Sequence, residues 1–221
     1  SCFGQLRSRV TCKCGHVSVK FDEFSSVSLP IPESTDITAD ISDCLTKFSA
    51  EEQMLDSETF QCSKCKEHLP PKKKIELWSV PDILIIHLKR FQYLPGATFI
   101  QREKIEDLIR FPIANLDISS FVKGPIDESA PPIYNLYAVS EHMGGLNGGH
   151  YTAKCLNADS DKWFDFNDSH VGEVDLQKIV SKSAYVLFYA RASGPSSSSS
   201  TSSASVPAPM KMTKQQDKTS V

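Results

Sequence analysis

No uncharged apolar run in these 221 residues approaches the ~18 that a membrane-spanning helix needs. The stretch Ile83–Leu88 is far too short. Neither end reads as a signal peptide. A basic surplus is missing as well: 24 Lys and Arg stand against 27 Asp and Glu, for a net charge of −3. Membrane insertion is thereby set aside, and nucleic acid is a poor first partner. A full disulfide framework is also lacking, because the seven cysteines are odd in number and two pairs, Cys12/Cys14 and Cys62/Cys65, are tightly spaced. Close pairs without a secretory signal fit a reducing compartment and a metal site. The cytoplasm or the nucleus is the expected address. The first residue is Ser1 rather than Met, which leaves room for a further N-terminal region.

What is present suffices for one folded unit. Apolar residues make up 40% of the chain, enough for a sizeable core. From Gly194 to Pro209 the composition turns to Ser, Ala and Pro, and a polar tail continues to Val221. Such a segment buries too little to offset its ordering entropy, so residues 193–221 are expected to be disordered and 1–192 folded.

The folded part reads mostly as strands. Val17–Phe21 alternates apolar and polar, as a half-buried strand does. Lys74–Leu77 and Ile83–Leu88 are two further candidates, divided by Pro81, and Ile83–Ile86 is apolar enough to be covered on both faces. Ile133–Val139, Tyr151–Leu156, Lys162–Phe166 and Ala184–Tyr189 complete the strand set. Helices are expected at Ile41–Phe48, after Asp40, and at Val174–Val180, where Glu173 and Asp175 favour the positive end. The class is α+β, dominated by antiparallel sheet.

Cys12-Lys-Cys14-Gly-His16 and Cys62-Ser-Lys-Cys65 lie about fifty residues apart. Two close thiolate pairs on tight turns can close a tetrahedral zinc site with no open position, which stabilises a fold and does no chemistry. The second pair has zinc-knuckle spacing, while the first is one residue short. His16 is an alternative ligand there, with Cys44 and His68 as remoter stand-ins. Two pairs of free, partly buried thiols are the competing reading.

A second constellation begins at Gly144-Gly-Leu-Asn-Gly-Gly149, a segment whose glycines allow close approach or loop movement. His150 follows at once and opens a strand. A hairpin centred between Ala158 and Asp159 would set His150 directly across from Asn167, near enough for a side-chain hydrogen bond. A histidine oriented by a carboxamide is the base-plus-orienter half of a thiol protease site. The amide oxygen fixes the imidazole tautomer without adding charge, which suits a thiolate–imidazolium pair. Most such His–Asn pairs are nevertheless only satisfied polar residues.

Several motifs in one order resemble the ubiquitin-specific proteases, the papain-like deubiquitinases. They are Tyr134–His142, Gly148-Gly-His-Tyr-Thr-Ala153, Trp163–Val171 and Ala184–Tyr189. Pro81–Phe91 resembles the central strand of that family, and Phe24–Pro30 its lead into the fingers region. The resemblance covers nearly all of 1–192. It implies a papain-like fold with palm and fingers, and a zinc ribbon at the fingertips formed by Cys12, Cys14, Cys62 and Cys65. It makes His150 the general base and Asn167 its orienter, and it gives Asp168 a part in polarising His150 or supporting the oxyanion. His87 and Cys155 are expected to be structural.

The family's nucleophile lies in an Asn-x-Gly-Asn-x-Cys-like stretch near the start of its domain, and no such stretch occurs here. The resemblance therefore implies the C-terminal part of a catalytic domain, with the thumb missing and the N-terminal half of that domain as an expected partner. Exposed apolar surface and weak stability are expected of the chain alone. The implied function is thiol-dependent hydrolysis of the bond at the ubiquitin C-terminus, acting on ubiquitin and ubiquitinated proteins. A catalytically inactive ubiquitin-binding module is the alternative.

Overall fold

A computed structural model describes residues 2–33, 39–55, 57–94, 101–145 and 148–192. The Ser/Pro-rich tail 193–221 lies outside the described residues, as do positions 146–147 of the glycine segment.

The alternation read at Val17–Phe21 belongs to a longer strand, and its partner is the stretch just before it. β1 (Gly4–Thr11) and β2 (Val17–Phe24) run antiparallel in unbroken register from Gly4↔Phe24 to Thr11↔Val17. Ser25 alone separates β2 from β3 (Ser26–Pro30), which enters a different sheet. The first helix, α1 (Ile41–Phe48), has the expected bounds. Asp40 caps it: its Oδ1 accepts from the amides of Ser42 and Asp43, while Asp43 accepts the Asp40 amide in return. This capping box satisfies amides that the first turn leaves open. The helix buries Ile41, Cys44 and Leu45.

Three short strands come next, β4 (Glu51–Gln53), β5 (Phe60–Gln61) and β6 (His68–Leu69). They lead to β7 (Lys72–Ser79) and, across Pro81, to β8 (Ile83–Lys89). β9 (Phe91–Leu94) and β10 (Gln101–Lys104) form a hairpin of their own. The remaining strands are β11 (Leu116–Asp117), β12 (Ile133–Gly145), β13 (Gly148–Asn157), β14 (Lys162–Asn167), β15 (His170–Glu173) and β16 (Ala184–Arg191).

Two sheets organise these strands. The fingers are a four-stranded sheet ordered β2-β1-β7-β4. The palm is an eight-stranded sheet ordered β15-β14-β13-β12-β16-β8-β3, with β11 on β12. Within the palm only β3 and β8 pair in parallel, so the expected α+β, mainly antiparallel class holds. Alternate residues of β8 enter the core: Leu84, Ile86 and Leu88 are buried beside Leu29, Leu136, Leu187 and Tyr189. The other face, with Ile83, Ile85 and His87, is only half-covered.

The helix expected at Val174–Val180 is a single 3-10 turn, Leu176–Lys178. Asp175 makes no side-chain cap bond there, and Glu173 ends β15 and pairs with Lys162 at 2.8 Å. So short a segment without a cap does not overcome the nucleation cost of an α-helix.

Two arginines lock the palm. Arg90 is fully buried and donates to the carbonyls of Ala184, Ile105 and Asp107. It thereby fixes the segment after β10 against the start of β16. Arg191 lies over the Tyr134 ring and donates to the carbonyls of Val80, Pro81 and Ala130, pinning the crossing from β7 to β8. No helix among the described residues is long and apolar enough to cross a membrane.

Candidate active site and metal centre

The fingertip is built by two turns. In the first, between β1 and β2, Gly15 adopts φ +81°, and its amide donates to the Cys12 carbonyl. That left-handed residue lets a pair one residue short of knuckle spacing turn both thiols the same way. In the second, the Lys66 amide donates to the Cys62 carbonyl. The sulfurs of Cys12 and Cys65 are 3.7 Å apart, as are those of Cys14 and Cys62. All four lie within 4.8 Å of one another.

Four thiolates around a tetrahedral zinc, with Zn–S near 2.3 Å, stand about 3.8 Å apart. The cluster fits that geometry and uses all four positions, so zinc held by Cys12, Cys14, Cys62 and Cys65 would brace the fold and leave no room for substrate. Backbone amides led by that of Cys65 bring the Cys62 thiol down to about 6, while burial and the neighbouring thiols push those of Cys12 and Cys65 up. None of the three stand-ins joins the cluster. His16 instead meets Ser63 Oγ at 3.0 Å and ties the two turns together. Cys44 is buried in α1, and His68 pairs with Gln61 across the β5–β6 ladder.

At the far end of the palm, β13 carries His150 and β14 ends in Asn167. The β13–β14 hairpin is centred between Asp159 and Ser160, one residue later than the sequence suggested, because Ala153 faces Phe166 and Asn157 faces Lys162. The turn explains the difference. Asn157 Oδ1 accepts from the amides of Asp159 and Ser160, and Asp161 takes φ +53°, so the loop extends through Asp161. A centre moved by one residue moves each cross-strand partner by two, which keeps every side chain on its face. His150 therefore reaches Asn167 diagonally, with Nε2 2.6 Å from Oδ1.

An amide oxygen can only accept, so Nε2 carries the proton and Nδ1 is left basic. Asp168, at φ +51° in the tight β14–β15 turn, places a carboxylate oxygen 3.9 Å from the same Nε2. The site lies open: the His150 side chain is 44% exposed and that of Asp168 80%. Exposed Met143 faces His150 across the β12–β13 ladder, while Tyr151, Phe166 and Val171, also exposed, lie on the other face of the same strands.

The profile of the ubiquitin carboxyl-terminal hydrolase family matches residues 3–189. The chain belongs to that family. Among curated relatives, ubiquitin carboxyl-terminal hydrolase 15 of Rattus norvegicus is 42% identical over 171 residues, covering 77% of this chain and 17% of the relative. Ubiquitin carboxyl-terminal hydrolase 2 of Gallus gallus is 40% identical over 195 residues, 88% of this chain and 52% of the relative. Among solved structures, a chain of the SAGA Ubp8/Sgf11/Sus1/Sgf73 DUB module bound to ubiquitin aldehyde superposes with a TM-score of 0.71 at 28% identity. That match covers 87% of this chain and 42% of the other. The chain thus spans between a sixth and about half of the length of these hydrolases. The fold is the papain-like one of the family.

Two features of this family member escaped the sequence reading. Glu141 and Lys154 form a buried ion pair, joined by Ser181 and Thr152, one turn of the ladder from His150. The available signal was a lysine at an inward position of β13. The second is His142, buried at 4% exposure beneath Gly149 and ringed by Phe91, Tyr151 and Tyr185. It closes one of the quoted motifs, yet nothing in its neighbours along the chain marks it as a support for the loop.

Proposed function

We propose that this chain supplies the base and orienter of a thiol-dependent hydrolase that cleaves at the ubiquitin C-terminus. The observation that carries this reading is the 2.6 Å contact of His150 Nε2 with Asn167 Oδ1, which leaves Nδ1 free for a thiol. In the reaction, His150 accepts the thiol proton and the thiolate attacks the terminal glycine carbonyl of ubiquitin. The tetrahedral intermediate collapses as His150 protonates the leaving lysine amine, and water then releases the acyl-enzyme. Asp168 sets a carboxylate oxygen 3.9 Å from the same imidazole nitrogen.

We infer that the thiolate is contributed by polypeptide beyond this chain. Four cysteines are committed to the fingertip cluster. Cys44 is fully buried, with burial raising its thiol to about 11, and burial also raises that of Cys155. Cys2 lies in the lead-in to β1. The N-terminal half of a catalytic domain is the natural donor, and exposed Met143, on the face of His150, is an apolar residue it would meet. Ubiquitin and ubiquitinated proteins in the cytoplasm or nucleus are the proposed substrates.

The test is a ubiquitin probe with a thiol-reactive C-terminus, applied to this chain alone and to the complete translation product of its gene. Labelling of the complete product, lost in His150→Ala, supports the reading. Labelling of neither favours a ubiquitin-binding module instead.

A further inference from the structure

Lys104 ends β10, in a hairpin that belongs to neither large sheet. Its ammonium donates to the carbonyl oxygens of His142 at 2.9 Å and Gly144 at 2.7 Å. Those two residues flank Met143, and Met143 faces His150 directly across the β12–β13 ladder. A single side chain from another hairpin therefore grips both peptide groups around the cross-strand partner of His150.

The sheet explains why those carbonyls are open. β12 pairs with β16 only as far as Glu141↔Ala184, followed by one last bond from the His142 amide to the Ser183 carbonyl. The amide and carbonyl of a strand residue point to the same side, so the His142 and Gly144 carbonyls face the edge that β16 has left. Unpaired acceptors at a strand end need a donor, and a charged one binds them more strongly than a neutral one. Gly144, at φ +101°, is the residue at which β12 begins to turn. Beneath the same hairpin, the ring of His142 fills the space where a side chain at position 149 would stand.

We propose that Lys104 is a positioning residue for His150. By holding the His142 and Gly144 carbonyls it takes the place of the missing strand, fixes the end of the β12–β13 hairpin, and keeps His150 within reach of Asn167. This inference rests on the thiol-hydrolase reading, and it also couples the β9–β10 hairpin to the catalytic base. A group that shifts β10 would shift His150 with it.

The experiment compares wild type, Lys104→Met and Lys104→Arg in the complete translation product, with Lys123→Met, a distant surface lysine, as control. Turnover of a ubiquitin C-terminal coumarin amide is measured together with the ring N–H resonance of His150. For Lys104→Met, kcat is expected to fall roughly 10- to 100-fold with KM nearly unchanged, as for a misplaced catalytic group. The His150 Nε2–H signal should broaden into exchange with water. Lys104→Arg, which keeps charge and donors, should recover most of both.

Unchanged kcat and an unchanged ring signal in Lys104→Met would overturn the proposal. So would a lower melting temperature with the ring signal intact, since that describes a merely structural lysine. If the wild type turns over no ubiquitin amide, the hydrolase reading fails, and the ring signal still decides whether Lys104 positions His150.

Discussion

His150 Nε2 sits 2.6 Å from Asn167 Oδ1 even though the ladder places the two residues diagonally rather than opposite each other. Diagonal neighbours on one face are still within reach of long side chains. Asn167 ends β14 and is followed by Asp168 at φ +51°, so the tight turn aims both side chains at one imidazole.

With Asn167 in the proposed role of orienter, its removal should cost rate rather than binding. In the complete translation product, Asn167→Ala is expected to lower kcat on a ubiquitin amide by roughly 10- to 100-fold, with little change in KM. Asp168→Ala should act in the same direction but more weakly, since its contact is 3.9 Å and exposed. Steady-state kinetics would settle the order, and a larger loss in Asp168→Ala would mean that the charge matters more than the amide.

The fingertip cluster predicts a metal content. The purified chain should carry about one zinc per molecule, with Zn–S distances near 2.3 Å by X-ray absorption. Cys62→Ser should lose the metal and melt several degrees lower, since ~2 kcal/mol corresponds to roughly 4–8 °C in a domain of this size. Elemental analysis of both proteins checks this, and a metal-free wild type of unchanged stability would refute it.

Close packing predicts a difference between two neighbouring glycines. A Cβ on Gly149 would collide with the Nε2 edge of the His142 ring and press on the Met143 carbonyl, whereas one on Gly148 meets nothing within 4 Å. Gly149→Ala should thus cost about 1–3 kcal/mol through overpacking. Gly148→Ala should be nearly neutral. Chemical denaturation of the two variants gives the comparison directly.

Acid should weaken the palm before its carboxylates titrate. Burial lowers the pKa of His142, and the nearby Lys104 ammonium adds to it; burial and Lys89 do the same at His87. Both groups then bind fewer protons folded than unfolded over the window from their depressed values up to about 6.5. Their stabilising effect is complete above pH ~6.5 and is lost as the pH falls through that window. Melting temperature measured from pH 7.5 to 5 should decline, with a smaller decline in His142→Phe.

Much of this arrangement was legible in the sequence, and the limits have physical causes. Period-two alternation located the strand from Val17, a continuous apolar run the one from Ile83, and turn signals the short strands from Ile133 and Ala184, while Asp40 marked the start of α1, because each signal is local. The cysteine pairs and the His150–Asn167 pair were readable as residue types at suggestive spacing. The hairpin centre was not, since it depends on Asn157 accepting two amides of its own turn. Lys104, 38 positions from His142, could not be read at all: its partners are backbone carbonyls, which leave no trace in side-chain pattern.

The fingertip cluster has a mechanical side as well. The fingers are visited twice: β1–β2 pass into the palm through a short junction at Ser25, and after α1 the chain goes out again for β4–β7 and returns through another at Val80–Asp82. Cys14 and Cys62, 48 positions apart, join these excursions at their far ends. Two struts fixed at the base and tied at the tip behave as a truss, in which neither can swing without bending the other. The stiffness felt at the two junctions is thus set at the opposite end of the sheet, by sulfur atoms that touch nothing in the palm.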